Sequence, residues 1–130
     1  MLCPGKFITI HGIDGTGKTT TAREVTRILQ TKDIPVHNFE DVKTEIHDPF
    51  KEVKMRTPEG TLEELFATLG SKAIQANFIQ AQLKKGTWIV KDRWIVDVLA
   101  DRLHRGVVVP EVTGILEPDL AVILHCHEGT

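Results

Sequence analysis

The octapeptide Gly12-Ile-Asp-Gly-Thr-Gly-Lys-Thr19 constrains this chain more than any other stretch. It fits G-x-x-x-x-G-K-[ST] without a mismatch. A β-branched run, Lys6–His11 (KFITIH), leads into it, and Ala22, Val25, Ile28 and Leu29 follow at helical spacing over Thr19–Lys32. With glycine near 7% of residues, a chance match in 130 positions is a roughly 1-in-200 event, and the strand and helix make it rarer. Gly12, Gly15 and Gly17 let the backbone wrap an anion, while the helix turns its positive end towards it. Lys18 supplies a mobile charge for the β- and γ-phosphates, and Thr19 a hydroxyl for Mg²⁺. The pattern predicts a nucleoside triphosphate site. By itself it does not separate a GTPase, an ATPase and a small-molecule kinase, although the N-K-x-D signal of guanine readers is absent.

Pro35-Val-His-Asn-Phe39 reads as a brief second strand, and residues 41–60, polar with Pro49, Pro58 and Gly60, as a long loop with room for a helical turn. Thr61-Leu-Glu-Glu64 is a capping box. It opens a helix that carries Leu62, Leu65, Phe66, Leu69, Ala73, Ala76 and Ile79 or Leu83 along one face, until Gly86 stops it. Thr87–Lys91 (TWIVK) is a third strand, and Asp92-Arg-Trp94 leads into a helix through about Leu103. Pro118–His125 is near-continuously apolar, as a parallel strand covered on both faces would be. Four strands with helical crossovers predict an α/β fold around a parallel sheet with right-handed connections.

The length of 130 residues fits one domain. A net charge of −2 without aromatic-basic interleaving argues against a nucleic-acid partner. No apolar run approaches the roughly 18 residues of a membrane span, and the apolar start is too short for a signal peptide. The expectation is a cytoplasmic protein with Cys3 and Cys126 reduced. Asp14 stands inside the loop, where a carboxylate repels phosphate unless it faces something else. A sugar hydroxyl of a second substrate and a simple turn contact both satisfy that requirement.

With Phe7–Thr21 (FITIHGIDGTGKTTT) and Trp88–Trp94 (WIVKDRW) side by side, the chain resembles the thymidylate kinase family of P-loop nucleoside monophosphate kinases. Leu65-Phe-Ala67 is similar to that family's stretch over the base pocket, and Pro118-Asp-Leu-Ala-Val-Ile-Leu124 to its Pro-Asp-Leu strand. The resemblance implies a three-layer P-loop fold with strand order 2-3-1-4 and the final strand missing. It implies ATP as phosphoryl donor, held by Gly12, Gly15, Thr16, Gly17, Lys18, Thr19 and Thr20, and Mg²⁺ held by Thr19 and Asp92. Asp14 would take the acceptor's 3′-hydroxyl, Phe66 would stack on the pyrimidine, and Arg93 would clamp the acceptor phosphate or the transferring group. Lys18, Asp92 and Arg93 form the implied catalytic set. The reaction is in-line transfer of the γ-phosphoryl group to a phosphate oxygen of dTMP or a related nucleotide, which needs no general base.

Three departures accompany the resemblance. Gly70 stands where the family often has a base-reading arginine, with Lys72 two residues on. Asn38-Phe-Glu-Asp41 replaces an Arg-Glu-Pro-Gly-Gly stretch. The chain reaches Thr130 where the family continues into lid helices, so a single, C-terminally truncated domain over residues 1–130 is expected. Family members with glycine at the Gly15 position draw catalytic cations from that lid. Two alternatives stand beside the kinase reading: a deoxyribonucleoside kinase with Glu40 as base, and a catalytically impaired ATP-binding module. Plainer roles compete at single residues. Asp92 and Arg93 can form an ion pair, Phe66 can be core, and Trp94 can simply pack. His125-Cys126-His127 alternates faces on a strand and does not converge on a metal. His11 and His104 lack a visible catalytic partner, and Arg102, His104 and Arg105 suit a helix C-terminus or face a phosphate. The Leu62–Leu83 stripe offers a homodimer face, an expectation that a monomeric mass would sink.

Overall fold

All five residues of strand β1 (Phe7–His11) are buried, the polar Thr9 and His11 included. The computed structural model describes residues 3–13, 15–107 and 109–125. Around β1 the chain builds α1 (Lys18–Thr31), β2 (Val36–Asn38), α2 (Phe39–Val42), a 3₁₀ turn over Lys43–Glu45, α3 (Phe50–Arg56), α4 (Leu62–Lys84), β3 (Trp88–Asp92), α5 (Ile95–Arg105) and β4 (Leu120–Ile123). The strands form one parallel sheet of order β2-β3-β1-β4, the order expected from the sequence.

Alternation along β1 feeds a core on each face of the sheet. Ile8 and Ile10 pack with Ala22 of α1, Val36 and Val90. Phe7 packs on the other face with Phe39, Ala76, Ile79, Ile89 and Trp94. Trp94 meets Phe7 edge-on with ring centroids 5.3 Å apart and donates its indole N–H to the Leu116 carbonyl at 2.8 Å, so it packs. Asp119 pins β4: its carboxylate accepts the Phe7 N–H at 2.8 Å, and its own N–H reaches the Phe7 carbonyl at 2.8 Å.

Four sequence expectations change in detail. Residues 41–60 hold part of α2, the 3₁₀ turn and α3 rather than a long loop. Asn38 starts this region by capping α2, its side chain accepting the Glu40 N–H at 3.0 Å. Phe39 begins that helix instead of ending β2. The α4 stripe splits between two faces: Leu65, Ala76 and Ile79 are buried, whereas Leu62 and Phe66 are 57% and 67% exposed. Finally, β4 lies at an edge of the sheet with Leu120 and Ile123 exposed, so its apolar run does not mean cover on both sides. A groove of about 1010 Å³ runs between it, α5 and residues 112–118.

The α4 cap is the predicted one with a shifted return contact. Thr61 Oγ1 accepts the Glu64 N–H at 3.2 Å, while the Glu64 carboxylate reaches back to the Gly60 N–H at 3.1 Å. Downstream, the α4–β3 connection presses on Gly5. The Gly5 N–H donates to the Leu83 carbonyl at 2.8 Å, and a Cβ at residue 5 would lie 2.2 Å from the Thr87 carbonyl oxygen. Because that neighbour is backbone, Gly5→Ala is expected to destabilise the fold by about 1–3 kcal/mol. Urea unfolding checks this, and an unchanged midpoint would refute the close approach.

Candidate active site

Three left-handed or strained glycines turn the end of β1 into the start of α1. Gly12 has φ 150°, and a Cβ there would lie 2.7 Å from Thr16 Oγ1. Gly15 and Gly17 have φ 83° and 85°, a region that L side chains rarely adopt. Gly17 caps α1 without any side chain on the first-turn N–H groups, which leaves them free to meet an anion. The Ile13 carbonyl organises the loop from inside, accepting the Thr16 hydroxyl at 2.6 Å and the Lys18 ammonium at 2.8 Å.

β3 brings the second half of the site alongside. Ile10 pairs with Asp92, and the Arg93 N–H donates to the Ile10 carbonyl at 2.9 Å. Arg93 sits at φ 69°, a costly backbone for a long side chain. Thr19 Oγ1 donates to Asp92 Oδ2 at 3.2 Å, while Asp92 Oδ1 is buried with no hydrogen-bond partner. Gly15, Gly17, Lys18, Thr19, Thr20, Asp92 and Arg93 line one cavity of about 230 Å³. The orphaned carboxylate oxygen beside a threonine hydroxyl suits a hard cation that takes its remaining ligands from phosphate and water, as Mg²⁺ does.

Most of the residues singled out from the sequence thus converge. Gly12 and Thr16 shape the loop without lining the cavity. Phe66 stands on α4, exposed and away from both the core and this cavity. Asp14 lies outside the described residues, as do Cys126 and His127. Among the described residues no cluster of three His, Cys, Asp or Glu side chains could hold a metal, and Cys3 is an exposed free thiol.

Glu40 accepts a hydrogen bond from Lys43 at 2.7 Å, and that bond holds its carboxyl below the usual range, making it a weaker base. Arg102 is buried beside Glu64 and Gly60, and Arg105 pairs with Glu59 and Asp101. These two arginines therefore tie the end of α5 to the α3–α4 connection rather than facing the phosphate cavity.

Two features escaped the sequence reading. His11 does have partners: Thr9 Oγ1 lies 2.6 Å from Nε2, and Asp97 Oδ2 lies 2.7 Å from Nδ1. The same Asp97 oxygen accepts the Trp94 N–H at 2.7 Å. The loop's approach strand is thereby fastened to the turn that carries Asp92 and Arg93. No local spacing signals a contact between residues 86 positions apart.

The second feature is Lys91. It shares the inward face of β3 with Ile89, and its ammonium stands 4.5 Å from the Phe39 ring centroid and 5.8 Å from that of Trp94. Burial, helped by the charge of Lys72, lowers its pKa from 10.5 to about 7. Burial also lowers the pKa of Lys72, with Lys54 adding to it. The available signal was a lysine inside an apolar strand at an inward register.

The family model described as thymidylate kinase matches residues 10–128. The chain belongs to the thymidylate kinase family. The thymidylate kinase of Carboxydothermus hydrogenoformans is 33% identical over 100 residues, covering 74% of this chain and 49% of that protein. That of Lactobacillus delbrueckii subsp. bulgaricus is 33% identical over 138 residues, covering 92% of this chain and 63% of that protein. Among solved structures, thymidylate kinase from Candida albicans superposes with a TM-score of 0.59 at 25% identity, covering 94% of this chain and 63% of that one. The chain spans about half the length of the first curated relatives it matches.

Gly70 is held to glycine by its packing. A Cβ at residue 70 would lie 2.9 Å from three atoms of the Phe50 ring, so α3 occupies the space a side chain would need.

Lys91 also sets a pH dependence. Between its folded value of about 7 and the ordinary 10.5, the unfolded chain holds a proton that the native state lacks. Its destabilising effect is therefore complete below about pH 7 and is relieved as pH rises towards the unfolded value. Lys91→Met is expected to raise stability at neutral pH and to flatten the climb above it. Urea unfolding in metal-free buffer between about pH 7 and pH 9 checks both, and parallel profiles for the two proteins would refute the assignment.

Proposed function

We propose that this protein transfers the γ-phosphoryl group of ATP to a phosphate oxygen of a nucleoside monophosphate, dTMP or a close relative. One observation carries the reading: the open N–H groups of the loop, Lys18, the Thr19–Asp92 pair and Arg93 meet in a single cavity. Family membership and relatives named thymidylate kinase support dTMP as acceptor.

In this reading the loop's N–H groups and Lys18 hold the donor phosphates, and Gly12, Gly15, Thr16, Gly17, Thr19 and Thr20 shape or complete the ATP site. Thr19 and Asp92 would hold Mg²⁺, whose charge, when bound, offsets the negative charge spreading over the transferred group. Arg93, at the end of β3, lines the same cavity and would clamp the acceptor phosphate or the transferring group. Catalysis is positioning and cationic stabilisation, because an ionised acceptor phosphate is already nucleophilic. Asp14 would accept the acceptor's 3′-hydroxyl, and the exposed ring of Phe66 is free to stack on a pyrimidine. Glu40, paired to Lys43, gives little support to a base-dependent hydroxyl acceptor.

We place the protein in the cytoplasm, in keeping with nucleotide metabolism. No helix among the described residues is long and apolar enough to cross a membrane. A homodimer through α4, with the exposed Leu62 at its face, is part of the proposal, and a monomeric mass by light scattering would sink it.

A coupled ADP-release assay with Mg·ATP tests the activity. ADP release is expected with dTMP and not with thymidine, falling by about 10²-fold or more in Lys18→Ala. Release with thymidine alone, indifference to Lys18→Ala, or no acceptor-dependent release at all would overturn the reading.

A further inference from the structure

We propose that His11 is a positioning residue for phosphoryl transfer, which acts through Asp97 to hold Arg93 in its left-handed backbone conformation. This deepens the kinase reading and rests on it. Among the described residues, Asp33 and Arg93 are the non-glycine positions with positive φ, at 58° and 69°. An aspartate tolerates that region, whereas a long side chain there needs support from outside. Two peptide planes supply it. The Arg93 N–H donates to the Ile10 carbonyl at 2.9 Å, and the next N–H, that of Trp94, donates to Asp97 Oδ2 at 2.7 Å. One plane lies on each side of the Arg93 Cα, so the two bonds together fix its φ and ψ.

The first bond belongs to the ladder with β1. The second is only as firm as the carboxylate that accepts it, and His11 fixes that carboxylate. A carboxylate only accepts, so Nδ1 of His11 carries the proton in its 2.7 Å contact with Asp97 Oδ2. Nε2 of a neutral ring is then an acceptor, and the Thr9 hydroxyl donates to it at 2.6 Å. Thr9 is fully buried and His11 is 7% exposed, so water does little to compete for these bonds.

Position gives this chain of bonds its role. His11 directly precedes Gly12, the first residue of the loop, and Arg93 lines the cavity with Lys18, Thr19 and Asp92. The loop and the Arg93 turn are therefore both built off one imidazole. Capping the first turn of α5 needs only Asp97 and the Trp94 N–H. The further bonds to His11 and Thr9 tie that cap to the strand beneath the loop. A loosened turn would still admit both nucleotides, but it would hold Arg93 in the transfer geometry for a smaller share of the time.

The test compares wild type with His11→Phe, His11→Asn and Arg93→Ala, and with His11→Phe combined with Arg93→Ala. Phenylalanine keeps a ring and removes both nitrogen contacts, while the α5 cap stays in place. An asparagine amide can donate to Asp97 as Nδ1 does. In the ADP-release assay with dTMP, His11→Phe is expected to lower kcat by about tenfold to 10²-fold, with both KM values near wild type. His11→Asn should recover most of that loss. In the Arg93→Ala background, His11→Phe should cost nothing more, since the two residues act as one unit. A loss confined to KM, or an undiminished loss in the Arg93→Ala background, would overturn the proposal. Should His11→Phe fail to fold, His11→Gln, whose amide reaches for Thr9 rather than Asp97, makes the same comparison.

Amide hydrogen exchange gives a readout independent of turnover. The Trp94 N–H is expected to exchange about tenfold faster in His11→Phe, while the Ile89 N–H, bonded to the Lys6 carbonyl at 3.0 Å, keeps its rate. An unchanged Trp94 rate, or equal acceleration at both amides, would reduce His11 to a packing residue. If wild type shows no acceptor-dependent turnover, the kinase reading fails, and exchange alone still decides whether His11 holds the turn.

Discussion

The hydrogen bond from the Arg93 N–H to the Ile10 carbonyl closes the parallel ladder between β1 and β3, and the functional geometry hangs on it. It sets the residues just beyond one strand level with those just beyond the other. The glycine loop and the Asp92–Arg93 turn then share a wall. Side chains alternate faces along a strand, so a slip of one residue would turn Asp92 from Thr19 towards α4 and bring Lys91 round in its place. The Thr9–His11–Asp97 chain guards against such a slip. It joins the end of β1 to the first turn of α5 through side chains rather than ladder bonds, and Asp97 holds the backbone N–H at Trp94.

Each face of the sheet changes character along its strands. At the β1 start, Phe7 and Ile89 lie in a closed apolar core. At the other end, the same face presents Thr9, His11 and Lys91 among buried polar groups. Ligands of open α/β sheets meet the carboxyl ends of the strands, and the composition changes where that rule places the ligand. Arg93 in a left-handed backbone and Lys91 over two rings both break local rules, and such breaches concentrate at working sites. The rest of the fold supplies the stability that these positions remove.

What could be read in the sequence was what local geometry demands. Gly15 and Gly17 adopt conformations that favour glycine, so their pattern marked the loop and the cavity around Lys18 and Thr19. The capping box marked the start of α4, apolar runs marked four strands, and the family resemblance supplied their order in the sheet. Residues 41–60 misled because α2 and α3 are short and mostly solvated, with few apolar residues to show a period. The α4 stripe misled because a helix lying on a sheet and also touched by α3 buries more than one line of side chains, while Leu62 and Phe66 face solvent. β4 misled because an apolar run looks the same in a central strand and at an edge. The partners of His11 and the environment of Lys91 depend on tertiary contacts, which no spacing encodes.

The contact between Phe50 and Gly70 has a consequence for descent. Neither position is free to drift alone: a side chain at 70 meets the ring at 50, and the ring at 50 lies flat only on a residue with no Cβ. A lineage that places an arginine there must first shrink or swing away the aromatic on α3, passing through an intermediate with a gap between two helices. The sterics thus dictate the order of the two changes, with position 50 giving way before position 70.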